Sequence, residues 1–273
     1  MSVGAQDFLA RIVADRRRRV AEMEQRVPGH RLRARIGTDV APAGRLERAL
    51  RRGGPDGPLR LLCEVKRASP SKGVLRDDVD PVATALLYEA GGAAAISLVT
   101  EPDHFLGNPD WVNAVRPAVH LPILMKDFVV DTYQILDAAA RGADGVLLLA
   151  SVLSEIQMQR LITDARLVGL DTLVEVHDED ELTRAIRAGA TLVGINNRDL
   201  RTFEVSLDTS LRLLPQVPPL VTAVAESGLS TPEDLAYLRE SRCDAVLMGE
   251  VFMRSPDPAG TLATLAAAAR GRS

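Results

Sequence analysis

Glu64 and Lys66 stand two residues apart at the end of an apolar run. Further charged, amide or hydroxyl side chains recur where later runs end: Lys126, Glu175, Asn196 with Arg198, and Glu226 with Ser227. Any one of these, taken alone, reads as a helix cap or a surface ion pair. Their recurrence at the same place in run after run asks for another account, because ammonium and carboxylate groups gathered together can pass protons or hold a charged ligand. In an extended strand, alternate residues face the same side, so Glu64 and Lys66 point the same way. Burying such groups is costly unless they pair or serve a ligand.

A second set of residues has the chemistry of an anion site. Glu226-Ser227-Gly228 follows the seventh apolar run and Met248-Gly249-Glu250 the eighth. Glycine lets backbone N–H groups approach a phosphate closely, although ordinary turns would account for these glycines about as well. Ser69-Pro70-Ser71-Lys72-Gly73 follows the first run. A loop with two hydroxyls in that position is better read as a lid or a phosphate contact than as a plain connection.

The elements that must position these groups alternate regularly. Short apolar runs occur at 59–66, 94–99, 122–127, 145–149, 172–176, 192–196, 220–226 and 245–249. Helical patterns lie between or after them at 81–90, 132–141, 155–168, 179–188, 207–214, 232–240 and 258–269. Strands separated by helices in this rhythm are right-handed βαβ units, and eight of them close a barrel. The expected fold is therefore α/β, a single (β/α)8 barrel of the TIM type over residues 59–273, with a helical extension over 1–58. In the extension, 6–26 forms an amphipathic helix with Phe8, Ile12, Val13, Val20 and Met23 as its stripe. A turn is expected at Val27-Pro28-Gly29. A second short helix at 46–51 is stopped by Gly53-Gly54-Pro55. In such a barrel the reactive strand ends meet on one rim, and phosphate commonly binds in the loops after the seventh and eighth strands.

Composition agrees. Hydrophobic residues are 46% of the 273 but aromatics only 3%, so the core must be aliphatic, as suits a parallel sheet covered by helices. A formal charge of −4 argues against a nucleic-acid partner. The basic run Arg16–Arg19, with Asp15, Glu22 and Glu24 nearby, reads as a solvated helix face. Cys63 and Cys243 are expected to be buried free thiols and not a disulfide or a metal site. No apolar run reaches the ~18 residues of a membrane span, and the N-terminus lacks the apolar core of a signal peptide, so a cytoplasmic location is expected.

Several stretches resemble the characteristic blocks of one family. "CEVKRASPSKGVL" is similar to the first-strand signature of the indole-3-glycerol-phosphate synthases. "LVTEPDHFLGN", "LPILMKDF", "LVEVH", "VGINNRDL", "AESGL" and "LMGEVFMR" resemble its later blocks, in order and over nearly the whole chain. The resemblance implies an enzyme of tryptophan biosynthesis, a carboxy-lyase that works without cofactor or metal. Its substrate would be 1-(2-carboxyphenylamino)-1-deoxyribulose 5-phosphate, and ring closure, decarboxylation and dehydration would yield indole-3-glycerol phosphate. It implies Lys126 as the acid for cyclisation, Glu175 as the base in dehydration and Lys66 as partner of the substrate carboxylate. Glu64 would orient the lysines, and Glu226 would complete the network. Asn196 and Arg198 would hold hydroxyl and carboxylate groups. Ser69, Ser227, Gly228, Gly249 and the N–H of Glu250 would cradle the phosphate, and Phe105 and Phe128 would wall in the aromatic ring.

Two positions depart from the family pattern: Glu250 and Asn108 stand where Ser is frequent. The Glu250 side chain is expected to point away from the phosphate. Partial burial is expected to lower the lysine pKa values, with adjacent carboxylates opposing. The chain is expected to be a monomer that binds a phosphorylated small molecule, no nucleic acid and no membrane. The nearest rival is a Schiff-base aldolase on the same barrel. A phosphoribosylanthranilate isomerase is disfavoured because Cys63 should face outward, and a non-catalytic binding protein because every implied role is filled.

Overall fold

The computed structural model describes residues 3–54, 56–199 and 203–271, and side chains from Leu9 onward. Pro55 of the expected helix break, Leu200 of the matched "VGINNRDL" block and the side chain of Phe8 lie outside this set.

Eight parallel strands close a barrel: β1 (Arg60–Val65), β2 (Ala95–Val99), β3 (Ile123–Lys126), β4 (Gly145–Leu149), β5 (Asp171–Val176), β6 (Leu192–Asn196), β7 (Thr222–Glu226) and β8 (Ala245–Met248). Each strand pairs with its sequence neighbours, and closure comes from Leu62 of β1 pairing with both Leu247 and Ala95. Helices form the outer layer: α4 (Pro81–Ala90), α5 (Asp110–Val115), α6 (Thr132–Arg141), α7 (Glu155–Leu167), α8 (Glu179–Arg187), α9 (Asp208–Leu213), α10 (Pro232–Arg239), α11 (Glu250–Arg254) and α12 (Pro258–Ala269). Local chemistry sets several of their starts. Asp131 with Gln134, Ser154 with Gln157, and Thr231 with Asp234 each form reciprocal capping pairs at a helix N-terminus.

Alternation along the strands separates two environments. Cys63, Val65, Ile96, Leu98, Val146, Val174 and Val193 face out and are buried under the helices. Leu62, Leu124, Leu147, Leu173, Leu192 and Leu247 face in and fill the barrel. Glu64, Lys126, Glu175, Asn196 and Glu226 continue the inward phase at the C-terminal ends of their strands. The interior is thus aliphatic at its N-terminal end and charged at its C-terminal end. Both cysteines are buried and free, with Cys63 outward as expected.

The N-terminal extension is α1 (Val3–Arg26), α2 (Gly29–Ile36) and α3 (Arg45–Leu50). Where the sequence suggests only a turn, Gly29 opens α2. The helix carries only two large apolar residues, Leu32 and Ile36, too few for a periodic signal, and it forms because Leu32 is buried by the fold. α3 closes the bottom of the barrel. Leu46 and Leu50 are fully buried among the inward-facing leucines, and the Leu46 and Glu47 N–H groups donate to Asp171 Oδ2 at 2.8 and 3.1 Å.

The expectation of a solvated face at Arg16–Arg19 is corrected. Arg17 and Arg18 are exposed, but Arg16 is buried and its Nη2 lies 2.7 Å from the buried carboxylate of Asp127. Arg16 is four residues from both Ile12 and Val20, so it lies on their buried face at 3.6 residues per turn. Arg19 pairs with Asp103 in the loop after β2. These contacts fasten α1 across the rim where the reactive residues gather.

Candidate active site

The C-terminal mouth of the barrel holds a cavity lined by every residue singled out from the strand ends except Glu226, which lies buried just beneath it. Glu64 of β1 is at the centre. Its Oε1 is 2.7 Å from Lys66 Nζ and its Oε2 is 3.4 Å from Lys126 Nζ, while Lys126 Nζ is 3.8 Å from Glu226 Oε2. On the far side, Asn196 Nδ2 donates to Glu175 Oε1 at 2.9 Å. The result is a cluster of two ammonium groups, three carboxyl groups and one amide at the ends of β1, β3, β5, β6 and β7.

Two glycines make room for it. A Cβ on Gly249 would stand 2.7 Å from Glu64 Cβ, and one on Gly194 would stand 2.0 Å from Glu226 Oε1. Gly249, read from sequence as part of a phosphate cradle, is thus also required to seat Glu64.

The charges settle one another. Burial alone would raise the Glu64 carboxyl, but the ammonium groups of Lys126 and Lys66 overcome it and lower its pKa to about 2. Burial would lower Lys126, yet Glu64, Glu226 and Glu175 together hold it above an ordinary lysine. This reverses the sequence-based expectation of a lowered lysine pKa, because three carboxylates act on one ammonium. Glu226 goes the other way: burial and the nearby Glu175 raise it to about 8, and neither of its oxygens makes a hydrogen bond.

The walls come from outside the strands. Phe105 and Phe128 meet with ring centroids 5.9 Å apart on one side of the cavity. Glu101, buried and not singled out by sequence, accepts from the N–H groups of Asp103, His104 and Phe105 and so holds the Phe105 loop in place. Leu9 and Ile12 of α1 line the same cavity, as do Leu147, Leu149 and Leu247. Sequence reading missed Leu9 and Ile12 because an amphipathic stripe does not say which part of a barrel it will cover.

On the opposite side lie the candidate phosphate groups. Ser227 and Gly228 follow β7 with φ of 65° and 75°. The left-handed conformation costs a non-glycine residue about 1–2 kcal/mol, and such strain concentrates at functional loops. Ser69 sits in a two-stranded ribbon, Ala68–Ser69 against Gly73–Val74, and its hydroxyl is buried without a hydrogen-bond partner. Arg198 Nη1 donates to Ser71 Oγ at 3.3 Å, and its backbone N–H donates to Asn196 Oδ1. The Glu250 carboxylate lies 3.9 Å from Arg198 and 3.4 Å from Arg254, drawn by the two guanidinium groups. Among the described residues, no group of three or more His, Cys, Asp or Glu could hold a metal ion.

Comparisons with known proteins bear on this geometry. The family model described as indole-3-glycerol phosphate synthase matches residues 9–265. An indole-3-glycerol phosphate synthase from Carboxydothermus hydrogenoformans is 43% identical over 264 residues, covering 95% of this chain and all of the relative. One from Chlorobium luteolum is 46% identical over 253 residues, covering 93% and 95%. Among solved structures, 3-hexulose-6-phosphate synthase from Salmonella typhimurium superposes with a TM-score of 0.63 at 16% identity, over 79% of this chain and 100% of that one. KGPDC from Streptococcus mutans does so with 0.61 at 13%, over 78% and 98%. At such identities these two likenesses concern the barrel alone.

Proposed function

The chain belongs to the indole-3-glycerol phosphate synthase family, and from that membership we propose how the mouth of its barrel carries the reaction. It is a carboxy-lyase of tryptophan biosynthesis. Its substrate is 1-(2-carboxyphenylamino)-1-deoxyribulose 5-phosphate; the products are indole-3-glycerol phosphate, carbon dioxide and water. It acts as a monomer in the cytoplasm, without cofactor or metal. No described helix is long and apolar enough to cross a membrane.

The observation that carries the reading is the Lys126 ammonium, held protonated at the mouth between Glu64 and Glu226. In cyclisation, the aromatic carbon bearing the carboxylate attacks the C2′ ketone, and the ketone oxygen must take a proton as the bond forms. The developing alkoxide is more basic than an amine, so a lysine kept protonated by carboxylates can still supply that proton. Lys66 binds the substrate carboxylate, which leaves as carbon dioxide and restores aromaticity. Glu175, steadied by Asn196, takes the proton lost in dehydration. Glu64 holds both lysines in place, and Glu226 completes the network beside Lys126. Phe105 and Phe128 flank the aromatic ring, and Arg198 holds polar groups of the substrate. The phosphate rests against Ser69, Ser227, Gly228 and the backbone N–H groups around Gly249 and Glu250. A Schiff base at Lys126 is disfavoured, because it needs a neutral lysine and the surrounding carboxylates favour the ammonium.

Purified protein given this substrate with a chelator and no added cofactor should develop indole fluorescence. Lys126→Ala and Glu175→Gln should each lower kcat by about 10²–10⁴-fold, the usual cost of losing a general acid or base. Unchanged rates in both variants would remove these assignments.

A further inference from the structure

His177 is the first residue beyond β5, and none of the roles assigned above uses it. Strand alternation gives it the same facing as Glu175, two residues earlier. Its ring is clamped on one side by the first turn of α8: Glu181 Oε2 lies 3.1 Å from Nδ1 and accepts the His177 backbone N–H at 2.9 Å. Asp178 caps the same helix by accepting from the Glu181 N–H, so the Glu181 carboxylate has a fixed place from which to hold the ring. On its other side, His177 Nε2 lies 3.4 Å from Glu175 Oε1, and it is buried with no hydrogen-bond partner. Asn196 Nδ2 reaches that same oxygen at 2.9 Å. Two groups therefore converge on Oε1, and Oε2 is the oxygen left to take a proton.

We infer that His177, held by Glu181, is a positioning residue that orients the Glu175 carboxylate and fixes which of its oxygens abstracts the proton; this rests on the role proposed above for Glu175. Both ring nitrogens face carboxylate oxygens, and only the imidazolium offers a proton to each. Burial disfavours that cation, but Glu181, Glu175 and Glu226 outweigh it and raise the His177 pKa. Lys126 on β3 and Glu226 on β7 also act on Glu175 through space.

The test uses His177→Asn and His177→Gln in the full chain with the substrate named above. Asn keeps a donor near Glu181 but withdraws the atom facing Glu175. Its plateau kcat should fall roughly tenfold as the carboxylate loses its fixed orientation and, separately, the acid limb of kcat should move up by about one pH unit as a neighbouring cation is lost. KM should move less than about threefold, as expected of a residue remote from the bound substrate. Gln, whose amide reaches the Nε2 position without charge, should recover part of kcat but leave the acid limb displaced. In a Glu175→Gln background, His177→Asn should cause no further loss. A His177→Asn enzyme with wild-type kcat and an unmoved limb, beside an impaired Glu175→Gln, would overturn the inference and leave the role of Glu175 standing. Full activity in Glu175→Gln would remove both. Should the Asn variant fold poorly by thermal unfolding, the displaced limb of the Gln variant decides the matter.

Discussion

Glu226 shows how one buried carboxyl can link catalysis to stability. Its pKa is raised from 4.5 to about 8, by burial and by Glu175. Between those values the folded protein binds more protons at this site than the unfolded chain does. Stability from this group therefore falls as pH rises from about 4.5 to about 8, and is level outside that window. Glu64 is opposite in sign: lowered to about 2, it contributes stability that is fully present above pH 4.5 and is lost as pH falls from about 4.5 to about 2. Glu226→Gln is near-isosteric and does not titrate, so its thermal midpoint should exceed that of the parent by a margin that widens from pH 5 to pH 8. Unfolding scans at pH 5, 7 and 9 measure it. An equal margin at pH 5 and pH 9 would mean that Glu226 ionises normally. The position of these side chains was legible beforehand, because alternation along a strand assigns each residue a facing. Their protonation states were not, since each depends on groups from several strands at distances of a few ångströms.

Helix α1 joins the site in part through a buried ion pair. Arg16 and Asp127 are both buried, and Asp127, the residue after Lys126, is raised to about 6, mainly by burial, with the Arg16 guanidinium opposing. Removing one partner of a buried pair strands the other. Arg16→Ala should destabilise the protein by about 3–5 kcal/mol near pH 8. The loss should be smaller at pH 5, where the stranded Asp127 carries a proton. Urea unfolding at the two pH values tests this. Because Leu9 and Ile12 of the same helix line the cavity, KM should rise as well. An Arg16→Ala protein as stable as the parent at pH 8 would show that the helix is held by apolar packing alone. The amphipathic pattern made the helix itself plain, while the partner of Arg16 lies 111 residues away and leaves no mark on local spacing.

Across the molecule, the barrel separates stability from chemistry along its axis. Leucines fill the lower interior and α3 closes it, while the charges stand at the upper mouth. Leu46→Ala removes a fully buried side chain from the closed end. It should cost about 2–5 kcal/mol in denaturant unfolding, as core leucine truncations do, and leave kcat/KM close to that of the parent at moderate temperature. A large fall in kcat/KM for the folded variant would mean that the two ends are mechanically coupled.

Residue order alone determined much of this protein. Eight apolar runs with intervening helices specify a closed parallel barrel, and period-two facing carries Glu64, Lys126, Glu175, Asn196 and Glu226 to one mouth. Both follow from chain geometry, which acts between near neighbours. The tertiary structure decided what depends on distance through space: that Lys126 is held charged and Glu226 resists ionisation, that Arg16 is buried, that α3 plugs the barrel, and that the Glu250 carboxylate leans toward Arg198. Charge interactions and burial act between groups far apart in the chain, so they take definite values only once the barrel closes.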